Sequence, residues 1–477
     1  MSKKIDDLRK KLSYERANFW KDFPKKEQKV AFKFADSYKH FLNSCKTERE
    51  AIKFVKSELT RKGFSNIDQN EKSNKVYRLS RNKNAAVALI GKNPVSSGVN
   101  LIVSHIDAPR VDLKQNPLSE DGKTKLGILK THYYGGIKKY QWMSTPLAIH
   151  GVIVKKDGST IDVCIGEDEK EPVFVMPDLL PHLARKTQYT KKIGEAVEAG
   201  HMNIIFNSIP YLDKTDKKIK DAIKLNALVL LNEKYGIIEE DLLSAELEVV
   251  PAGKARDAGI DKSFILGYGQ DDRICAFTSM EAIFDLEKEN MESEKTAVVY
   301  LADKEEIGSE SNTGAKSIFI VDFIADLLKH NGEAFDSSTL RKTLINSQIL
   351  SADVNAGINP NYPNVHEADN AVHIGFGVSV TKFTGAGGKS SSNDANAEFN
   401  AKIIRIFNDE KVNWQTGALG KVDEGGGGTI AKFMAQHGAE VIDCGPGLLG
   451  MHSLYELSSK ADIYSSYKAY KAFFKKG

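Results

Sequence analysis

Apolar residues recur along this chain with two periods, and the changes of period mark out its elements. In "EREAIKFVKSELTRKGF" (48–64), Ala51, Ile52, Phe54, Val55 and Leu59 fall at helical spacing, and Gly63 supplies the residue type that ends helices in a left-handed turn. "NKVYRLS", "AAVALIG" and "GVNLIVSHID" read as strands, the last ending in His105 and Asp107. From about 110 to 245 the pattern changes. "TPLAIHGVIVKKDGSTIDVCIG" breaks into two strand-like runs at Lys-Asp-Gly, a hairpin signal, between glycine-rich and acidic loops such as "YYGGIK" and "GEDEKEP". Strand and helix then alternate again: "DDRICAFTSMEAIFDLEKE" as a helix, "TAVVYL" (296–301), "ILSADVN" and "AEVIDCG" as strands. "SSKADIYSSYKAYKAFFKK" closes the chain as an amphipathic helix with Ile463, Tyr467, Tyr470 and Phe473 on one face. The expected fold is α/β: a doubly wound mixed-sheet catalytic domain from 1–109 and 246–477, carrying an inserted β-rich domain at 110–245.

Composition narrows the function classes. A length of 477 residues favours two domains over one. Net charge is only +3, from 67 Lys+Arg against 64 Asp+Glu, which gives no electrostatic reason to expect nucleic acid or a membrane surface as partner. Cys45, Cys164, Cys275 and Cys444 are scattered without a CxxC pair, as in a reduced protein. "MSKKIDDLRKKLSYER" has no apolar signal core, and no run approaches the ~18 apolar residues of a membrane span. A cytoplasmic location is expected.

Candidate chemistry lies where the buried strands stop. "YLADKEEIGSES" (300–311) ends a strand in three acids, Asp303, Glu305 and Glu306. His105 and Asp353 also follow strands, His452 lies in the loop after another, and Asp271 opens a helix after "GYGQ". Ligands gather at the carboxyl ends of strands in open α/β sheets. Each residue alone is ordinary: a strand-end histidine is commonly a hydrogen-bonded surface group, and an acid pair before a helix commonly a cap. Together, two histidines, several carboxylates and no cysteine suit a hydrolytic zinc, cobalt or manganese site. A helix-start aspartate can bridge two cations about 3.5–4 Å apart, while one of the adjacent glutamates binds metal and the other handles a proton. Asp303 receives no assigned role.

"SHIDAPR", "QDDR", "DKEEIGSES", "SADVNAGINPNY" and "GMHSLYE", in this order, resemble the M18 family of metalloaminopeptidases, the aspartyl aminopeptidase family, and its bacterial branch in particular. "YYGGIKKYQW" extends the likeness into the inserted region. The resemblance implies a di-metal exopeptidase acting on peptides with a free N-terminus, zinc being the expected metal and cobalt or manganese the alternatives. It makes Asp271 the bridge, His105 and Asp353 the rest of one site, and Glu306 and His452 the rest of the other. Glu305 becomes the general base, and Asp107 the carboxylate that orients His105. The inserted domain would make dimer contacts, the dimers assembling into a tetrahedral dodecamer in which His182, from "VMPDLLPHLAR", enters a neighbour's site. Lys382 in "SVTKFTG" matches a lysine associated with acidic substrate side chains, and Gly427 and Thr429 match a cleft loop. Eukaryotic members carry histidines where this chain has Ala356 and Asn359, so their strict acidic preference is not implied here, and both Asp/Glu and neutral first residues stay open.

Two other readings differ in kind. "TGAGGKSSSNDA" (384–395) suggests a phosphate-binding loop, but Phe383 stands where the first glycine of that pattern belongs. A degenerate shell-forming binding protein would lack a ligand or the base, and this chain lacks none. A different amidohydrolase or deacylase on the same scaffold would betray itself by cleaving substrates without a free α-amine.

Overall fold

The computed structural model describes residues 3–69, 72–215, 218–289 and 293–477. In the strand Thr296–Ala302, Ala297, Val299 and Leu301 pack into one hydrophobic core, while Val298, Tyr300 and Ala302 pack into another. A strand covered on both faces has no polar face to show, which is why "TAVVYL" reads as an unbroken apolar run. It lies within a nine-stranded sheet. The order is Ser65–Asn66, Lys75–Ser80, Asn84–Leu89, Thr296–Ala302, Val99–His105, Gln348–Ser351, Glu440–Gly445, Val378–Thr381 and Trp414–Thr416.

Helices cover both faces. Lys25–Ser44, Glu48–Arg61, Gln270–Lys288, Ala397–Asp409 and Lys460–Lys476 contribute to one core; Phe319–His330 and Ala431–Ala435 contribute to the other. Glu48–Arg61 starts with a reciprocal cap, Thr47 Oγ1 accepting from Glu50 N at 3.2 Å and Glu50 Oε2 from Thr47 N at 3.1 Å. It stops where the pattern predicts: Gly63 takes φ +70°, and Phe64 N donates back to Leu59 O at 3.0 Å. In the closing helix Ile463, Tyr470 and Phe473 are fully buried, Tyr467 partly so. Each large apolar side chain so placed contributes about 1.5–3 kcal/mol.

A second sheet is antiparallel throughout, in the order Thr160–Ile165, Leu147–Val154, Glu246–Pro251, Arg110–Glu120, Gly127–Tyr134 and Ile204–Asn207. The hairpin predicted at Lys-Asp-Gly joins Leu147–Val154 to Thr160–Ile165, with Gly158 at φ +83°. This sheet has its own core, including Val111, Leu129, Trp142, Ile149 and Val249. A third sheet runs Arg256–Ala258, Phe264–Gly267, Glu456–Ser459, Gly447–Leu449 and Asn355–Ala356.

Within the nine-stranded sheet, Val99–His105 pairs in parallel with both Thr296–Ala302 and Gln348–Ser351, which in turn pairs in parallel with Glu440–Gly445. The carboxyl ends of these four strands therefore emerge along one edge.

Candidate active site

Parallel register sets His105 level with Ala302, so the chain that follows Thr296–Ala302 turns directly beside the imidazole. Lys304 at φ +64° and Gly308 at φ +88° bracket the single 3₁₀ turn Glu305–Ile307. Asp303 anchors this turn. It is fully buried, and its Oδ2 accepts from Thr313 Oγ1 at 2.7 Å and pairs with Lys304 Nζ at 3.1 Å. Burial, with the charges of Glu48 and Asp107, pushes its carboxyl up to about 6.

The Asp107 carboxylate gathers the next set of contacts. Its Oδ1 lies 3.2 Å from His105 Nδ1 and accepts from Glu305 N at 3.1 Å; its Oδ2 accepts from Tyr134 OH at 2.8 Å and Glu306 N at 3.2 Å. Held through Nδ1, His105 presents Nε2 to Asp271 Oδ1 at 3.2 Å and to Asp353 Oδ1 at 3.9 Å. His452 mirrors it. Its Nδ1 faces Gly136 O at 3.0 Å, and its Nε2 lies 3.2 Å from Asp271 Oδ2 and 3.4 Å from Glu306 Oε2. Asp271 thus stands between two imidazoles, one at each carboxylate oxygen.

Among the described residues, His105, Asp271 and Glu306 bring ligand atoms within 4.8 Å of one another, and so do His105, Asp272 and Asp353. Asp272 is an addition to the sequence-derived set. Its Oδ2 accepts from His105 N at 3.3 Å, while its buried Oδ1 has no hydrogen-bond partner, and neither does Glu306 Oε1. A buried cluster that combines imidazole nitrogens with carboxylates, two of which keep an unpartnered oxygen, is a donor set that suits a divalent cation. The residues fit such a metal.

The electrostatics point the same way. Burial, then the charge of Asp271, carries Glu306 well above the carboxylate range; Asp353 rises in the same sense, from burial and Asp271 against the pull of His105. Burial also opposes the Asp271 charge, but hydrogen bonds from His105 and His452 hold it well below its ordinary value. Glu305 is pushed up to about 7, chiefly by burial. A proton acceptor balanced near neutrality is what general-base work needs.

A second buried carboxylate, Glu456, went unassigned in the sequence. Its Oε2 accepts from Gln270 N at 2.6 Å and Asp271 N at 3.1 Å, and its Oε1 from His452 N at 2.8 Å. Only the motif "GMHSLYE" placed it near a ligand, and nothing in that string reports a backbone donor 186 residues away.

The other expected residues lie outside this cluster. Lys382 lines a cavity of about 320 Å³ with Phe383, Leu419, Lys421 and Val422, and its Nζ is 3.5 Å from Asp394 Oδ1. Gly427 N donates to Thr384 O at 3.3 Å, and Thr429 Oγ1 to Asp443 Oδ1 at 2.6 Å, pinning the glycine-rich loop beside that cavity. His182 is exposed on the short helix Pro181–Thr187.

Comparison with known proteins agrees with this geometry. Residues 41–474 match the Aminopeptidase I zinc metalloprotease (M18) family. A probable M18 family aminopeptidase 1 from Clostridium acetobutylicum is 49% identical over 97% of this chain and 98% of its own length. The crystal structure of an M18 family aminopeptidase from Thermotoga maritima superposes with a TM-score of 0.91 at 45% identity, covering 98% of this chain and all of that one. The mApe1 dodecamer of S. cerevisiae gives a TM-score of 0.73 at 25% identity, covering 94% and 96%. Sequence motifs, fold and the crowded His–carboxylate cluster converge: the chain belongs to the M18 family of zinc metalloproteases and is a metal-dependent aminopeptidase.

Proposed function

We propose that the enzyme holds two divalent cations, with Asp271 as the shared ligand, His105 and Asp353 completing one site and Glu306 and His452 the other. The observation that carries this reading is the placement of the two Asp271 oxygens, each 3.2 Å from a different imidazole. Bound there, the metals supply Lewis-acid polarisation of the scissile carbonyl and a more acidic water. Glu305 takes a proton from the attacking water on a carboxylate oxygen and delivers it to the departing amine. Asp107 fixes the His105 ring and, through the backbone of Glu305 and Glu306, the position of the base relative to its neighbour.

Lys382, Gly427 and Thr429 are assigned to the substrate cleft, supported by the cavity that Lys382 lines and by the hydrogen bonds that set the loop against it. Because Asp394 already shares the Lys382 charge, we expect neutral as well as acidic first residues to be accepted. We assign 1–109 and the residues after Pro251 to the catalytic domain and 110–251 to the inserted one; the boundary moves from the expected 245 because Glu246–Pro251 pairs with both Leu147–Val154 and Arg110–Glu120 inside the second sheet. Dimers of the chain would assemble into a tetrahedral dodecamer, with the exposed His182 reaching a neighbour's site. Cytoplasmic location is supported by four free cysteines, three of them buried. No helix among the described residues is long and apolar enough to cross a membrane.

A dipeptide panel with acidic, neutral and basic first residues, run with zinc, cobalt and manganese in turn, tests the reading. Cleavage that requires both metal and a free α-amine is expected. Turnover of N-acetylated peptides at equal rates would refute it. Lys382→Ala should lower Asp-X cleavage relative to Leu-X by several-fold, and an unchanged ratio would remove Lys382 from the cleft assignment.

A further inference from the structure

Glu456 belongs to the strand Glu456–Ser459, which pairs antiparallel with Phe264–Gly267 so that Glu456 stands opposite Gly267. That register places its side chain beneath the turn leading into the helix Gln270–Lys288, where Gln270 N and Asp271 N have no helical acceptor of their own. The other carboxylate oxygen turns to His452 N, four residues upstream, where the chain is left-handed at φ +64°. The Gln270 side chain closes the arrangement: its Nε2 donates to Glu456 O at 2.6 Å and Ile265 O at 3.3 Å, and its Oε1 accepts from Ser458 Oγ. Only 1% of Glu456 is exposed, so water cannot substitute for these bonds.

We propose that Glu456 is a positioning residue for the metal centre, one carboxylate clamping the backbone of Asp271 and of His452 at a fixed separation. The inference rests on the di-metal reading above, in which both residues are ligands. Asp271 and His452 belong to segments far apart in the chain, and among the described residues Glu456 is the side chain that bonds the main chain of both. Its effect falls unequally. The pair formed by Glu306 and His452 depends on both clamped segments; the pair formed by His105 and Asp353 depends only on Asp271.

The test is Glu456→Gln, nearly isosteric, which turns an amide N–H₂ toward backbone donors. Zinc stoichiometry and affinity are read by competition with a chromophoric chelator, beside kcat and KM at increasing zinc. Outer carboxylates of this kind typically alter metal affinity by about 10–100-fold. We expect a loss of that size for one of the two zinc ions and a smaller loss for the other. KM should stay within about two-fold of wild type once zinc saturates. Ser458→Ala removes the neighbouring Ser458–Gln270 side-chain bond without touching the carboxylate and should leave zinc affinity unchanged. Wild-type zinc affinity in Glu456→Gln would overturn the proposal, and so would an equal loss in Ser458→Ala. Should Glu456→Gln not fold, hydrogen exchange of the metal-free wild type decides: protected Asp271 and His452 amides support the clamp, and free exchange at either overturns it. A wild type that binds a single zinc would instead bring down the di-metal reading, and this inference with it.

Discussion

Glu305 and Glu306 are neighbours in sequence, yet their surroundings divide them. Glu306 Oε2 faces His452 at 3.4 Å with its other oxygen unpartnered, as suits a metal ligand, whereas burial leaves the Glu305 carboxyl at about 7, as suits a base. Glu305→Gln keeps the shape and removes the proton acceptor. It should retain wild-type zinc while kcat falls about 10²–10⁴-fold, the usual worth of general-base help. Metal analysis beside kcat checks this, and loss of zinc in that variant would exchange the roles of the two glutamates. The third acid of the stretch has a different use: Asp303 holds Thr313 and Lys304 and so fixes where the turn begins.

Strand ends were legible because burial on both faces leaves uninterrupted apolar runs, and a polar residue ending such a run is conspicuous. His105, the Glu305–Glu306 pair and Asp353 stood out that way, His452 in a loop after a strand and Asp271 at a helix start, while the choice of Glu306 as ligand came from the family resemblance; the structure brings these residues together. Glu456, Tyr134 and Asp272 were not legible. Glu456 and Tyr134 act through a backbone N–H or a carboxylate that only the folded chain brings near, and Asp272 reads in sequence as a first-turn helix acid. Contacts between elements hide for the same reason. His150, in the strand Leu147–Val154, lies 2.8 Å from Glu50 of the helix Glu48–Arg61 and 3.0 Å from Glu167, with Cys164 Sγ at 3.9 Å. Burial pushes its pKa down, but Cys164, Glu167 and Glu50 outweigh this and carry it up to about 11. Its folded value exceeds its ordinary 6.5, so its contribution to stability is complete below about pH 6.5 and is lost as pH rises through about 11. Glu50 and Glu167 are lowered by His150 despite burial, so theirs is present above the ordinary 4.5 and is lost on acidification. Melting temperature measured from about pH 6 to pH 11 should therefore fall less steeply in His150→Gln than in wild type; parallel curves would show that this junction does not titrate.

For the molecule as a whole, the metal centre is also a stability term. Asp271, Asp272, Glu306 and Asp353 crowd one buried volume, and cations held there as proposed would offset their repulsion. A ligand that binds only the folded chain adds about 4 kcal/mol at a thousand times its Kd. Dialysis against a chelator should lower the melting temperature by several degrees, and titrating zinc back should restore it in proportion to the logarithm of free metal. A melting temperature indifferent to zinc would mean that protonation alone settles the crowded carboxylates.

The five proposed ligands come from two sheets. His105 ends a strand of the nine-stranded sheet, and Glu306 and Asp353 follow others; Asp271 and His452 flank strands of the five-stranded one. Neither sheet alone presents the complete proposed set, so on that reading the ability to cut peptide bonds would appear only after the two have met. With those five ligands, a nascent or partly unfolded copy would hold an incomplete centre, and peptide cleavage would be tied to the finished fold.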